Sequence, residues 1–344
     1  MGKGIPTADA GPTTTGNGDI KHRSKRDQKP RLLLMGLKRS GKTSISNVVF
    51  RKMTPSDTIF LDTTTTIQKE ATHTFMDFQI WDLPGQIDYL DRSFDAESIF
   101  GGVGAMIWVL DALDNYMETV GHLTDTVFHL QQSYPSIKYS VFIHKIDCLT
   151  EDLRDDTVRD ITQRITDDLY DVGLENPPIS YHSTSIFDSS IFEAFSKVMQ
   201  SLVPQLPVLE SLLDTIGASC HFEKVYLFDV ISKIYIASDT TSVDLRAYEL
   251  CSDFINIIVD LSEVYGWHQE TDFHEGEQLA ALQAHGAESY VNNIKGYTLY
   301  LREINRNLSF IAISKDPAFD REKSLIDYNV GMLRDTLLKV LDYV

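Results

Sequence analysis

The run "GLKRSGKTS", residues 36–44, has glycine, four residues, then Gly-Lys-Thr. That spacing suits a loop that wraps phosphates. Gly36 and Gly41 permit backbone angles that a side chain would forbid. The N–H groups of residues 39–44, Arg39, Ser40 and Ser44 among them, can then converge on α- and β-phosphate oxygens at a helix N-terminus. Lys42 reaches the β/γ oxygens and the Thr43 hydroxyl can ligate Mg²⁺. Two long cations, Lys38 and Arg39, stand where many such loops carry small residues.

Three further stretches supply what a phosphate loop needs around it. "WDLPG" (81–85) places Asp82 at a strand end, where it can hold the Mg²⁺ shell through water. The Gly85 N–H can meet a γ-phosphate, and Gln86 follows where a residue orienting the attacking water would sit. "FLDTTTTIQK" (60–69) offers a threonine to complete the Mg²⁺ site. Register favours Thr64, with Thr63 and Thr65 as alternatives. "HKID" (144–147) ends an apolar strand. There the Asp147 carboxylate can accept two hydrogen bonds from the guanine N1–H and N2–H₂ edge, a donor pair that adenine lacks. His144 stands in the place of the usual asparagine, the Lys145 stem would cover the base face, and "STSIF" (183–187) brings Ser185 and Ile186 to the same base. The phosphate-loop pattern is rare by chance, whereas Asp-x-x-Gly alone is common and a lone His-Lys-x-Asp is weak. Four elements in this order and spacing point to GTP and GDP with Mg²⁺ as the bound groups.

The elements that must position these residues follow from periodicity. Short apolar runs at 31–36, 75–82, 104–112, 139–145 and 179–185 read as strands, two of them apolar on both faces as in a covered parallel sheet. Between them lie helices. In 151–174, Leu153, Val158, Ile161, Ile165, Leu169 and Val172 form one stripe, and Gly173 supplies a stop. This is an α/β domain with a doubly wound sheet, residues 30–204. "VPQLPVLESL" (203–212), with two prolines, reads as the boundary. Residues 205–344 then read as an α+β module of two strand pairs and two helices, with a flexible loop near 266–295. Two helices should leave part of Tyr226, Phe228, Ile234, Tyr235, Tyr297, Tyr300, Phe310 and Ile311 exposed as a partner surface.

The chain has 344 residues, 42% hydrophobic, enough for a real core in about two domains. No apolar run approaches the ~18 residues of a membrane span. Residues 1–29 read as a disordered arm, without the apolar core of a signal peptide. Pro6 stands where the myristoylation pattern after Met-Gly wants Ser or Thr. Net charge is −19, yet residues 1–31 hold seven Lys/Arg against three Asp, so the body is more acidic still. That argues against nucleic-acid binding. Three scattered cysteines show no disulfide or zinc pattern.

Taken together, "RLLLMGLKRSGKTSISNVVFRKM", "FQIWDLPGQIDYLD", "VFIHKID", "STSIFDSSIFEAFSKVMQSLVPQLPVLE" and "KVYLFDVISKIYIASD" resemble the Rag GTPases, in the RagC/RagD class with its fungal Gtr counterpart. Pro84 and the cationic "LKRS" loop separate this class from RagA/RagB, which has a double glycine at the first place. The resemblance implies a Ras-like domain followed by a roadblock-like domain. It implies a heterodimer with a RagA-type GTPase and a Ragulator/EGO-type scaffold at the cytosolic face of the lysosome or vacuole, with a nuclear pool as a second location. Membrane contact would be indirect. Output would pass to the target-of-rapamycin kinase complex, under control of a GAP and an exchange factor. Lys38 and Pro84 should crowd the water and stiffen the segment bearing Gln86, so hydrolysis should be slow; the alternative is that Lys38 or Arg39 acts as an internal cation. An Arf-like GTPase and a metabolic P-loop enzyme are the competing readings. The first needs an amphipathic N-terminus and a WDxGGQ run; the second needs a second substrate motif.

Overall fold

The computed structural model describes residues 31–73, 77–85, 95–114, 116–174, 178–241, 245–265, 288–294, 296–305 and 307–341. The 1–29 arm, Gln86 and residues 266–287 lie outside them. The chain runs β1 (Arg31–Met35), α1 (Lys42–Arg51), β2 (Gln68–His73), β3 (Asp77–Asp82), α2 (Ala96–Phe100), β4 (Val103–Asp111), α3 (Tyr116–Ser133), β5 (Lys138–His144), α4 (Glu151–Asp171), β6 (Ile179–Thr184) and α5 (Ser190–Leu202). These form one sheet of order β2-β3-β1-β4-β5-β6, parallel except for the β2–β3 pair. One face carries α3 and α4 over Leu33, Trp81, Met106, Trp108 and Val141. The other carries α1 and α5 over Leu32, Leu34, Ile107 and Phe142. Burial on both faces explains why β4 and β5 are apolar throughout.

The second unit runs α6 (Leu206–Ser219), β7 (Lys224–Asp229), β8 (Tyr235–Ser238), α7 (Leu245–Tyr265), β9 (Glu288–Ile294), β10 (Tyr297–Glu303), β11 (Leu308–Ser314) and α8 (Phe319–Leu341). Its sheet, of order β8-β7-β11-β10-β9, is antiparallel throughout. Helices α6 and α8 cover one face and α7 the other. An α/β G domain with a doubly wound sheet, followed by an α+β roadblock-like domain, is the expected architecture.

The details correct four expectations. The two-proline stretch 203–212 opens α6, with Pro207 in the first turn where its missing N–H costs nothing. That helix is the third in the C-terminal unit, and with α8 it covers Tyr300 and Phe310, while α7 covers Tyr226, Phe228, Tyr235 and Ile311 and Ile234 packs into the first unit. Tyr226, Phe228, Ile234, Tyr235, Tyr300, Phe310 and Ile311 are all buried and Tyr297 half-buried, so they are core and not a partner face. Residues 288–294, read as part of a loop, form β9. Along α4 the stripe holds at Ile161, Ile165 and Leu169, but Leu153 and Val172 at its ends are exposed because the helix overruns the sheet. Strand β2 went unread: Gln68 and Lys69 are exposed and it pairs on one side only, so it carries no apolar signature.

A seam joins the two units. Ile234 packs into the α1/α5 core of the first unit, and Phe192 of α5 touches both that core and the α7 core of the second. Strand β8 is a sheet edge, and the buried Ser196 hydroxyl on α5 accepts its Tyr235 N–H at 3.0 Å. Ser189 also donates to Glu249 of α7 at 3.2 Å. Truncating Ile234 to Ala should cost about 2–4 kcal/mol of stability by emptying this seam. Chemical denaturation of the full chain measures it. A cost equal to that of a surface substitution would show that the two units do not pack there.

Candidate functional site

The strands' C-terminal ends at one sheet edge build the site. β1 pairs β3 with Leu34 opposite Asp82, and β4 pairs β5 with Asp111 opposite His144. β5 pairs β6 with His144 opposite Thr184. Those registers set the phosphate loop, Asp82, Asp111, His144 and Thr184 side by side.

The loop leaves β1 at Gly36 and enters α1 at Lys42. Arg39 is held left-handed at φ 65°, and with Lys38 its side chain is exposed. Gly41 is also left-handed, and a Cβ there would sit 2.7 Å from the His144 ring. Only glycine lets the loop approach the base-side strand this closely. Ser40 is buried and Ser44 half-buried. Lys42 is buried with its ammonium donating to the Gly36 carbonyl at 2.9 Å and the Leu37 carbonyl at 2.8 Å. Burial lowers its pKa to about 8, against the attraction of Asp82. The ammonium is therefore desolvated and braced toward the loop interior.

Beside it, the Thr43 hydroxyl donates to Asp82 Oδ2 at 2.5 Å and lies 2.7 Å from the Thr64 hydroxyl. Thr64 is half-buried, while Thr63 and Thr65 are exposed. Asp82 is 2% exposed and burial raises its pKa, with the Thr43 hydrogen bond opposing. Its Oδ1 has no hydrogen-bond partner among the described residues. Two hydroxyls and a buried carboxylate with one spare oxygen suit a hard divalent cation such as Mg²⁺. Gly85 packs on the loop itself: a Cβ there would fall 2.5 Å from the Lys38 nitrogen and 2.4 Å from the Leu37 carbonyl carbon.

On the far side, His144 is 2% exposed, and its Nδ1 pairs with the Thr184 hydroxyl at 3.0 Å. Burial lowers its pKa to about 4, so the ring is neutral at pH 7. Lys145, left-handed at φ 63°, donates to the Arg39 carbonyl at 2.9 Å and to Asp111 at 2.5 Å, tying the base side to the phosphate loop. Asp147 sits on a 3-10 turn, Ile146–Cys148. Burial would raise its pKa, but hydrogen bonds from Ser185 and Cys148 outweigh this and hold it ionised below the usual carboxylate value. Ser185 and Ile186 are buried beside it, and the Ser185 N–H donates to Ser190 at the start of α5.

The structure thus gathers every expected site residue in the described range, while Gln86 falls outside it. Asp111 was missed. Its signal was an acidic residue closing β4 level with "HKID", a pattern too common to read without the neighbouring strand. Thr184 and Ser190 act only as supports.

A parallel sheet with a phosphate loop after β1, an acidic strand end after β3 and a carboxylate after β5 defines a Ras-like G domain. Comparison gives the family. Residues 31–255 match the Gtr1/RagA G protein conserved region. The chain is 46% identical over 318 residues to Ras-related GTP-binding protein C of Mus musculus, covering 91% of this chain and 77% of that one. It is 46% identical to GTP-binding protein gtr2 of Schizosaccharomyces pombe, covering 91% and 98%, and 37% identical to GTP-binding protein GTR2 of Saccharomyces cerevisiae, covering 90% and 92%. The chain belongs to the Gtr1/RagA family of G proteins, on its RagC/RagD-type branch.

Two outcomes follow from the geometry. Thr64→Ala should raise the Mg²⁺ concentration needed for GTP binding by about tenfold or more, with a smaller effect on GDP; Thr63→Ala and Thr65→Ala should leave it unchanged, as Mg²⁺ titration of fluorescent nucleotide would show. Because Lys42 loses its proton near pH 8, affinity for GDP should fall as pH rises from 7 to 9, approaching about tenfold per unit above 8. A flat calorimetric profile over that range would mean that Lys42 keeps its proton to pH 9 or does not hold phosphate.

Proposed function

We propose that this chain is a guanine-nucleotide switch that hydrolyses GTP slowly and works as one half of a heterodimer. The observation that carries it is the single bracing of the site: Lys145 links Asp111, the Arg39 carbonyl and the Asp147 turn, so base and phosphate positions are fixed together. Asp147 accepts the guanine edge, and Ser185, Ile186 and the Lys145 stem line the base. The N–H groups of residues 39–44, with Gly36 and Gly41 shaping the loop, take the phosphates, and Lys42 moves its ammonium from its own loop's carbonyls to the β/γ oxygens. Thr43, Thr64 and Asp82 would hold Mg²⁺, which would neutralise phosphate charge when bound.

Hydrolysis needs a water in line with the γ-phosphate, and Gln86 is the residue proposed to orient it. Gly85 lies against the backbone of Leu37 and Lys38, which leaves little room for the segment to shift. The Lys38 and Arg39 side chains are exposed, which supports a solvent-directed role over an internal cation. Turnover of the isolated chain is therefore expected far below the ~1 s⁻¹ end of ordinary enzymes.

The C-terminal unit, 205–344, is the proposed heterodimer module, with a RagA-type GTPase as partner. Among the described residues strand β9 ends the sheet order, so its main chain is the proposed edge for a second sheet. The same unit would dock on a Ragulator/EGO-type scaffold, and output would reach the target-of-rapamycin complex. No helix among the described residues is long and apolar enough to cross a membrane. Attachment at the lysosomal or vacuolar surface is therefore assigned to the scaffold.

Asp147→Asn tests the nucleotide assignment. It removes charge-assisted hydrogen bonds of about 1.5–3 kcal/mol each, so GTP and GDP affinity should drop and xanthine nucleotides should gain. Unchanged guanine preference in competition binding would overturn the base assignment. Native mass spectrometry of the purified complex reads the partner: a second G protein and one nucleotide per chain are expected, and a chain found alone would count against the heterodimer.

A further inference from the structure

The search of the surface leads to α8. Its inner face is core: Ile326, Val330, Leu333 and Leu337 are buried. Its outer face carries Leu325, Tyr328 and Met332, 58%, 66% and 54% exposed, spaced three and four apart as one apolar stripe. Beside that stripe lies Gly331. Among the described residues a Cβ there would meet nothing within 4 Å, so no packing among them requires the glycine, although it weakens a helix. Ser324 stands one helical repeat earlier on the same flank. Exposed charges close the stripe, Arg321 at one end and Asp335 at the other.

These positions are nearly symmetric about Tyr328, with Leu325 and Met332 three and four residues from it and Gly331 and Ser324 likewise three and four. Arg321 and Asp335 each lie seven residues from it, in opposite directions. A second α8 laid antiparallel, with the twofold axis at Tyr328, brings the two tyrosines together. It sets Leu325 alongside Met332 of the second copy, and Ser324 alongside Gly331 of the second copy. Arg321 comes level with Asp335 of the second copy, and each of these contacts except the tyrosine pair on the axis is made twice. The small residues let the helices approach closely, and the charges favour this register over a slipped or parallel one. We propose that this stripe is a self-association surface, and that its occupant is α8 of a second copy of the chain.

The size sets the strength. Three half-exposed side chains bury a few hundred Å² per copy, below the ~800 Å² per partner of a stable interface. The pairing is weak in dilute solution and gains from any arrangement that concentrates copies on one surface. It lies on the α6/α8 face of the sheet, opposite α7. One copy can thus pair here while its β9 edge stays open, and the proposal stands apart from the heterodimer reading.

The test uses the full chain with its nucleotide and any co-purifying partner. Sedimentation analysis from micromolar to submillimolar protein should show a mass that doubles with concentration. Arg321→Glu and Asp335→Arg should each weaken the doubling by at least about tenfold, since two attractive contacts become repulsive. The double variant should restore it to within about threefold of wild type. In a Cys148→Ser background, Tyr328→Cys should form a disulfide between copies under mild oxidation. Four results would each overturn the proposal: no doubling at the highest concentration, single reversals without effect, a double variant that does not recover, or no cross-link. A different chain shielding the stripe in the absence of self-association would do the same.

Discussion

Asp82 is the constraint around which the G domain is arranged. Folding takes its carboxylate out of water at the end of β3, then leaves one oxygen without a partner among the described residues. Lys42, the nearest opposing charge, is also buried, but its ammonium bonds to the loop's own carbonyls. Two buried charges that do not pair directly are costly unless a third species sits between them. Apolar residues on both sides of β1 and β3 make the sheet rigid enough to hold that arrangement. Leu34 opposite Asp82 fixes the height of the carboxylate relative to the loop, and Thr43 and Thr64 orient it. The stability stored in the sheet therefore holds a buried carboxylate with a spare oxygen next to a buried ammonium, an arrangement that suits a cation and phosphates.

Position in the chain carries this constraint outward. Ser185 and Ile186, beside Asp147, lead directly into Ser190, which receives the Ser185 N–H and opens α5. Helix α5 then covers the sheet on one side and meets β8 and α7 on the other, through Phe192, Ser196 and Ser189. The base side of the site and the C-terminal unit are thus separated by one rigid helix. A shift of the base loop would have to move α5 against two apolar cores at once. Packed cores respond to such a demand as units and not by gradual bending.

The local chemistry was easier to read than the architecture that supports it. Gly36, Gly41, Lys42, Asp82 and Asp147 were legible because each sits in a short motif whose residue types the chemistry dictates, and His144 only from its place in such a motif. Thr64 was legible from register alone, and the structure sets it, not Thr63 or Thr65, against Thr43. Asp111 was hidden because its meaning comes from the β4–β5 pairing. The polar β2 and the β9 segment were hidden because an edge strand needs no alternating apolar pattern. Helix α6 was hidden by Pro207, a residue that reads as a breaker yet is favoured in a first helical turn. Seven core side chains were assigned to a surface because their covers were not all counted: α6 and α8 lie over Tyr300 and Phe310, α7 over Tyr226, Phe228, Tyr235 and Ile311, and Ile234 enters the core of the first unit.

The cations of the phosphate loop show how main chain and side chain divide their roles. Arg39 takes a left-handed backbone that usually favours glycine or asparagine. Its carbonyl is thereby turned to Lys145, while its side chain remains in solvent. Lys38 contributes its backbone nitrogen to the close approach of Gly85. Both long side chains are exposed in this structure, so their charge faces whatever comes to the loop from outside. A neutral small residue at 38 would leave the Gly85 contact unchanged, because that contact is made by backbone. The tightness of this loop therefore follows from the meeting of two main-chain segments, and the cations at its rim set the electrostatics of its approach.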